Sequence, residues 1–156
     1  MPVIELELNE PAKLGQSEPP VVKSSGDVIE LHSRYSVVHG EMLRFEPQAH
    51  KNTVGYWVKE KDWAQWQCHA TKAGPYEVEL RYGCGDGQGG SDIELTIGKQ
   101  KVPFKVEATG GFQAWRDVKL GTVELKAETG YTVSLKVIKK AKNAVMDIQQ
   151  ITLRTK

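Results

Sequence analysis

Asp62-Trp63-Ala64-Gln65-Trp66-Gln67-Cys68-His69-Ala70, followed by Tyr76-Glu77-Val78-Glu79-Leu80-Arg81-Tyr82, alternates side chains with a period of two. That period belongs to a strand with one buried and one wetted face. In the first stretch the core phase is Ala64, Trp66, Cys68 and Ala70, which makes Trp66 a core residue. The pattern recurs outward in both directions. Val3-Ile4-Glu5-Leu6-Glu7-Leu8, Ile93-Glu94-Leu95-Thr96-Ile97 and Tyr131-Thr132-Val133-Ser134-Leu135-Lys136-Val137 all alternate. Turn signals separate them at Ala73-Gly74-Pro75, Gly98-Lys99-Gln100, Thr109-Gly110-Gly111 and Glu128-Thr129-Gly130. No window holds a sustained 3.6 period. Short strands at about ten-residue spacing predict an all-β fold, either a sandwich or a barrel.

The chain has 156 residues, enough for one domain with one core. Residues 9–26 break the alternation with Asn9-Glu10-Pro11, Ser17-Glu18-Pro19-Pro20 and Ser24-Ser25-Gly26. Residues 1–25 therefore read as an N-terminal strand plus an extended arm, and 26–156 as the compact domain. Formal net charge is +1, which excludes a nucleic-acid binder driven by a strong basic excess. No apolar run approaches the ~18 residues of a membrane span. The N-terminus lacks the features of a signal peptide, so the chain is expected to be either cytoplasmic or a module of a longer secreted protein.

Cys68 and Cys84 are expected to be buried free thiols. If the strands around Ala73-Gly74-Pro75 pair as a hairpin, Cys68 faces Leu80 and Cys84 faces Ala64, about 13 Å apart in register and beyond disulfide reach.

Catalytic signatures are missing. There is no Gly-x-Ser-x-Gly, His-Glu-x-x-His, Walker loop or Cys-x-x-Cys, and the four histidines are scattered. Gly85-Asp86-Gly87-Gln88-Gly89-Gly90 matches G-x-G-x-x-G in form only. A strand follows it where a dinucleotide site needs a helix, so it reads as a hairpin loop. The aromatic placement carries more information. Trp57 and Trp115 stand at strand ends beside loops, and Phe112 follows Gly110-Gly111. Aromatic planes at loop ends suit the apolar C–H faces of sugar rings. They equally suit closure of a sandwich core, and periodicity alone leaves both readings open.

From Gly26 onward the sequence resembles the carbohydrate-binding modules of families 6 and 35, of the galactose-binding-like jelly-roll fold (an antiparallel β-sandwich), and is similar to those attached to bacterial sulfatases and glycoside hydrolases. The resemblance rests on Val28-Ile29-Glu30-Leu31-His32, on Gly55-Tyr56-Trp57 with Asp62-Trp63-Ala64-Gln65-Trp66, and on Ala73-Gly74-Pro75-Tyr76-Glu77-Val78. It continues through Thr109-Gly110-Gly111-Phe112-Gln113-Ala114-Trp115 and closes on Val145-Met146-Asp147-Ile148. It implies a non-catalytic module that docks a polysaccharide or oligosaccharide for an attached hydrolase or sulfatase. The implied setting is extracellular or periplasmic, as a monomer with no nucleic-acid or membrane partner. The alternative is a structural or protein-interaction sandwich that has lost sugar binding.

The implied binding residues are Tyr56 or Trp57, with Trp57 favoured, and Phe112 or Trp115. The family's ligand asparagine falls on Val145, and Asn143 stands in for it. A structural calcium is implied at Glu30, His32 and Asp147, with His32 in place of a second acid. Lys140, with Lys139 and Lys142, lies in a loop that borders the family's cleft. Three ammonium groups there would favour an anionic or sulfated glycan; a solvated basic hairpin is the plainer account.

Overall fold

The structure, a computed structural model, describes residues 19–156. The alternating segment Val3–Leu8 lies outside the described residues. The described residues form twelve strands in two six-stranded sheets. They are β1 (Val21–Lys23), β2 (Val28–His32), β3 (Val37–His39), β4 (Arg44–Glu46), β5 (Thr53–Gly55) and β6 (Trp63–Ala70). Then follow β7 (Gly74–Cys84), β8 (Asp92–Ile97), β9 (Gln100–Lys105), β10 (Gly111–Leu125), β11 (Thr129–Lys139) and β12 (Asp147–Thr155). A 3-10 turn, Ser33–Tyr35, follows β2. Among the described residues no helix is long and apolar enough to cross a membrane.

One sheet runs β1-β6-β11-β8-β9, with β3 on β6. The other runs β10-β7-β12-β5-β4, with β2 on β12. All pairings are antiparallel except β1 on β6, which is parallel. Val21–Lys23, expected in the extended arm, is thus already part of the sandwich.

The inward phase is the one the alternation predicts. Ala64, Trp66, Cys68 and Ala70 from β6 meet Tyr76, Val78, Leu80 and Tyr82 from β7, all at most 1 % exposed. Each is a side chain on one face of its strand, and two such faces close one core between the sheets. Inward Ile93, Leu95, Ile97, Val133, Leu135, Ile151 and Leu153 complete it.

The partnering of the strands departs from the hairpin expectation. β6 and β7 do not pair: β6 lies between β11 and β1/β3, while β7 lies between β10 and β12. Ala73-Gly74-Pro75 therefore belongs to a corner between sheets, and Cys68 does not face Leu80. The glycine-rich 85–90 loop also crosses between sheets, from β7 to β8. A sandwich corner and a hairpin turn draw on the same residues, so composition does not tell them apart. Gly98-Lys99 does close a hairpin, with Ile97 opposite Gln100. Both cysteines are free and buried, as expected. Burial in the core pushes the Cys68 thiol up to about 12.

Candidate functional site

The chain enters the site through the β4–β5 hairpin and the turn after β5. Gly55 ends β5 against β12, and only glycine fits there. A Cβ at Gly55 would stand 2.8 Å from Asp147 Oδ1 and 2.8 Å from Glu46 Oε1. The next residue, Tyr56, adopts the left-handed backbone region at φ 61°, a conformation that costs a non-glycine residue of order 1 kcal/mol. Its ring turns outward and is 45 % exposed, with the Arg44 guanidinium 4.4 Å from its centroid. Trp57 turns the other way. It is 1 % exposed, its Nε1 donates to Asp62 O at 3.0 Å, and its carbonyl accepts from Val145 N at 2.9 Å.

This reverses the sequence preference for Trp57 as the exposed ring. Both neighbours are aromatic, and the positive φ at Tyr56 decides which one faces solvent. Asp62 anchors the same region. Its carboxylate accepts from the backbone N–H groups of Glu41, Met42 and Leu43, each at 2.9 Å. Burial pushes its pKa up, and those three donors outweigh it and hold the group below its ordinary value.

Phe112 arrives from the other side of sheet order, at the start of β10. Gly83 and Gly85 admit it: a Cβ at Gly83 would stand 2.3 Å from Phe112 O, and one at Gly85 2.7 Å from the Phe112 ring. Tyr56, Trp57, Phe112 and Ala144 then line one cleft of about 370 Å³. Its polar lining is Arg44, Glu46, Lys51, Gln113 and Asp147.

Asp147, at the head of β12, is 5 % exposed. Its Oδ2 accepts from Gln113 Nε2 at 3.0 Å. Burial first, and Glu46 nearby, raise its pKa to about 7 against the pull of Gln113 and Lys51. Glu46 Oε2 faces Lys51 Nζ at 3.4 Å and Arg44 at 3.6 Å. Arg44, Glu46, Lys51 and Gln113 were not singled out in the sequence. Gln113 sits inside the Gly-Gly-Phe motif, but nothing local marks the β4–β5 residues, which reach the cleft only because β5 pairs with β12 at Val54–Ile148.

The other expected residues lie apart from the cleft. Trp115 is half-buried in the irregular stretch between Gly111 and Arg116 and does not line it. Asn143 is exposed and offers its carbonyl to Lys140 Nζ at 3.3 Å. Lys140 Nζ also donates to Lys142 O at 2.7 Å, so the ammonium caps its own loop. Val145 is fully buried.

The expected calcium ligands are not brought together. Glu30 and His32 share a groove with Arg34 and Tyr35, where His32 Nδ1 accepts from Arg34 N at 3.0 Å. They pair with Thr152 and Gln150, three to five residues along β12 from Asp147, roughly 10–17 Å. Among the described residues no group of three His, Cys, Asp or Glu side chains could hold a metal ion. These residues do not fit one shared calcium.

A second aromatic, Trp63, stands on the outer face of β6. Its register partners are His39 on β3 and Lys136 on β11, on opposite sides. The His39 ring stacks on it at 4.1 Å, and Lys136 Nζ lies 4.4 Å from its centroid. Flanked on both sides, the Trp63 ring is not an open stacking plane.

The model of the domain of unknown function DUF5077 matches residues 45–156. The chain belongs to this family. The matched span of this DUF5077 chain holds the whole cleft lining except Arg44. No curated protein matches the sequence.

Among solved structures, the chain is similar to the C-terminal family 6 carbohydrate-binding module of LamC, a marine laminarinase from Zobellia galactanivorans. That match has 20 % identity and a TM-score of 0.64, over 83 % of this chain and 100 % of the module. A family 35 carbohydrate-binding module from Clostridium thermocellum matches at 14 % identity and TM-score 0.64, over 85 % and 100 %. A β-(1,4)-mannanase of Podospora anserina, GH26-CBM35, matches at 16 % identity and TM-score 0.61, over 85 % of this chain and 28 % of the enzyme. The DUF5077 chain thus has the β-sandwich fold of the family 6 and 35 modules.

Proposed function

We propose that this chain is a non-catalytic carbohydrate-binding module whose ligand sits in the Tyr56 cleft. The observation that carries the reading is Tyr56 itself. An exposed ring held at positive φ beside a cleft with a buried polar floor is a costly local arrangement, and such strain collects at ligand sites. The ring gives a sugar's C–H face a stacking plane, worth on the order of 1 kcal/mol, while Asp147, Glu46 and Gln113 address its hydroxyls. The fold shared with modules whose printed names are carbohydrate-binding supports the same reading.

Such a module docks a polysaccharide or oligosaccharide for a joined enzyme, an extracellular or periplasmic arrangement. The mannanase match supports this, since the matched portion is 28 % of that enzyme. The second reading, a structural or protein-interaction sandwich, draws on buried Val145 at the position of the family's ligand asparagine. The preference for anionic glycans read from Lys139, Lys140 and Lys142 finds no lysine of that loop in the cleft lining.

A glycan array probed with the chain and with Tyr56→Ala tests the proposal. Retained glycans that the variant loses support it. A chain that captures no glycan turns the balance to the second reading.

A further inference from the structure

Two carboxyls in the cleft each leave one oxygen uncommitted. Asp147 spends Oδ2 on Gln113, and Glu46 spends Oε2 on Lys51 and Arg44. Asp147 Oδ1 and Glu46 Oε1 take no donor from any described residue. Both lie 2.8 Å from the point a Gly55 Cβ would occupy, and so at most twice that distance from each other. Buried acceptors in folded proteins nearly always find donors. Here Asp147 is nineteen-twentieths buried, yet it opens onto a cleft with one oxygen free. Two adjacent open acceptors call for a ligand with two adjacent donors.

Charge narrows the ligand further. A sugar carboxylate or sulfate would bring an anion against two carboxyls whose nearby cations among the described residues, Arg44 and Lys51, already face Glu46. A sugar ammonium would share the cleft with those same two cations. A neutral ring adds no charge, and its neighbouring hydroxyls can donate one each to two acceptors no more than twice 2.8 Å apart. Above about pH 7 Asp147 is ionised, and hydrogen bonds to ionised acceptors are the stronger kind.

We propose that the cleft selects a neutral sugar through a vicinal diol, one hydroxyl donating to Asp147 Oδ1 and the other to Glu46 Oε1, while the ring packs on Tyr56. The inference rests on the carbohydrate-binding reading above and adds the ligand's charge class and the two atoms that read it. Gly55 is the enabling residue, because any side chain there would displace both acceptors.

The test is an NMR titration of the full chain at pH 8, where Asp147 is ionised, and it registers weak complexes. The probes are methyl β-galactoside, methyl β-glucoside and methyl α-mannoside, their singly deoxygenated analogues, and galacturonate and glucosamine as charged comparators. The proteins are the parent, Asp147→Asn, Glu46→Gln and Tyr56→Ala, each checked by its melting curve. At least one neutral glycoside should bind, and each carboxyl variant should weaken it about tenfold, the scale of one lost charged hydrogen bond. Deleting one hydroxyl of the diol should cost the parent a similar factor and cost little more in the variant that lacks its acceptor.

Binding that needs Tyr56 but ignores both carboxyl variants overturns the diol and leaves the cleft reading standing. Tighter binding of galacturonate or glucosamine than of the neutral glycosides does the same. Binding of no sugar, or binding indifferent to Tyr56→Ala, overturns the cleft reading and the diol with it. If Asp147→Asn fails to fold, Glu46→Gln and the deoxygenated sugars decide the outcome.

Discussion

The Trp57 indole Nε1 donates to the Asp62 carbonyl oxygen at 3.0 Å, across the turn between β5 and β6. With Val145 N bonded to Trp57 O at 2.9 Å, this fixes Trp57 in the core and leaves its neighbour Tyr56 to face the cleft. Two adjacent aromatics therefore have opposite roles.

Substitution separates those roles. Trp57→Ala should cost about 3–5 kcal/mol, the usual loss for a fully buried large aromatic. Tyr56→Gly should melt at the parent temperature or above it, because glycine carries no penalty at φ 61°. The same variant should lose glycan binding. Urea unfolding and the glycan array measure both. A Tyr56→Gly protein that unfolds as early as Trp57→Ala would mean that Tyr56 is a structural residue.

Asp147 should make the protein less stable as pH rises through the acid range. Its carboxyl titrates near 3.8 in an unfolded chain and near 7 when folded, so the folded state favours the protonated form. The penalty for ionising it is absent below about pH 4, grows between pH 4 and 7, and is constant above. At about 1.4 kcal/mol per pH unit, its upper bound is about 4 kcal/mol. Asp147→Asn should flatten this slope and raise stability at pH 8. A variant whose stability profile runs parallel to the parent's would show that Asp147 is ionised at no such cost.

Asp62 should act in the opposite sense. Three backbone N–H groups hold its carboxylate, so its folded pKa lies below 3.8. It contributes stability above about pH 4 that disappears as pH falls through the folded value. Asp62→Ala strands three donors of the 41–43 turn and should cost about 3 kcal/mol or more. Asp62→Asn, which keeps one acceptor oxygen, should cost less. Equal melting temperatures for parent and Asp62→Ala would refute the anchoring role.

The cysteines give a covalent check on the sheet assignment. Cys68 lies on β6 in one sheet and Cys84 ends β7 in the other, both free and buried. A thiol reagent should find neither in the native protein and both after unfolding. Oxidant should leave the native melting curve unchanged. A disulfide detected by mass spectrometry in the folded protein would contradict the arrangement of these strands.

Strand phase was readable because burial acts on every second side chain. Ala64, Trp66, Cys68 and Ala70 needed only their own alternation to be assigned inward, and all four are at most 1 % exposed. Strand partners were not readable. Ala73-Gly74-Pro75 suits a hairpin as well as a corner, and the choice between them depends on which distant strands compete for the edges of β6 and β7. Those edges go to β11 and β12, some sixty to eighty residues away along the chain.

The site divides along the same line. The motif around Gly55-Tyr56-Trp57 and Gly111-Phe112-Gln113 could be picked out along the chain, because glycine beside aromatic residues marks a turn that carries rings. Which ring faces out depended on one backbone angle at Tyr56 and on hydrogen bonds that tie Trp57 to Asp62 and Val145. The meeting of Asp147 with Glu46 over Gly55 depended on β5 docking against β12 at Val54–Ile148. A two-residue period acts between neighbours, so the sequence alone carried the all-β class and the buried phase, whereas the hairpin register used for the free thiols did not hold, and the two cysteines lie in different sheets. Cleft chemistry acts between side chains far apart in the chain, so only the packed sandwich decided that a tyrosine, two carboxyls and a glycine share one place.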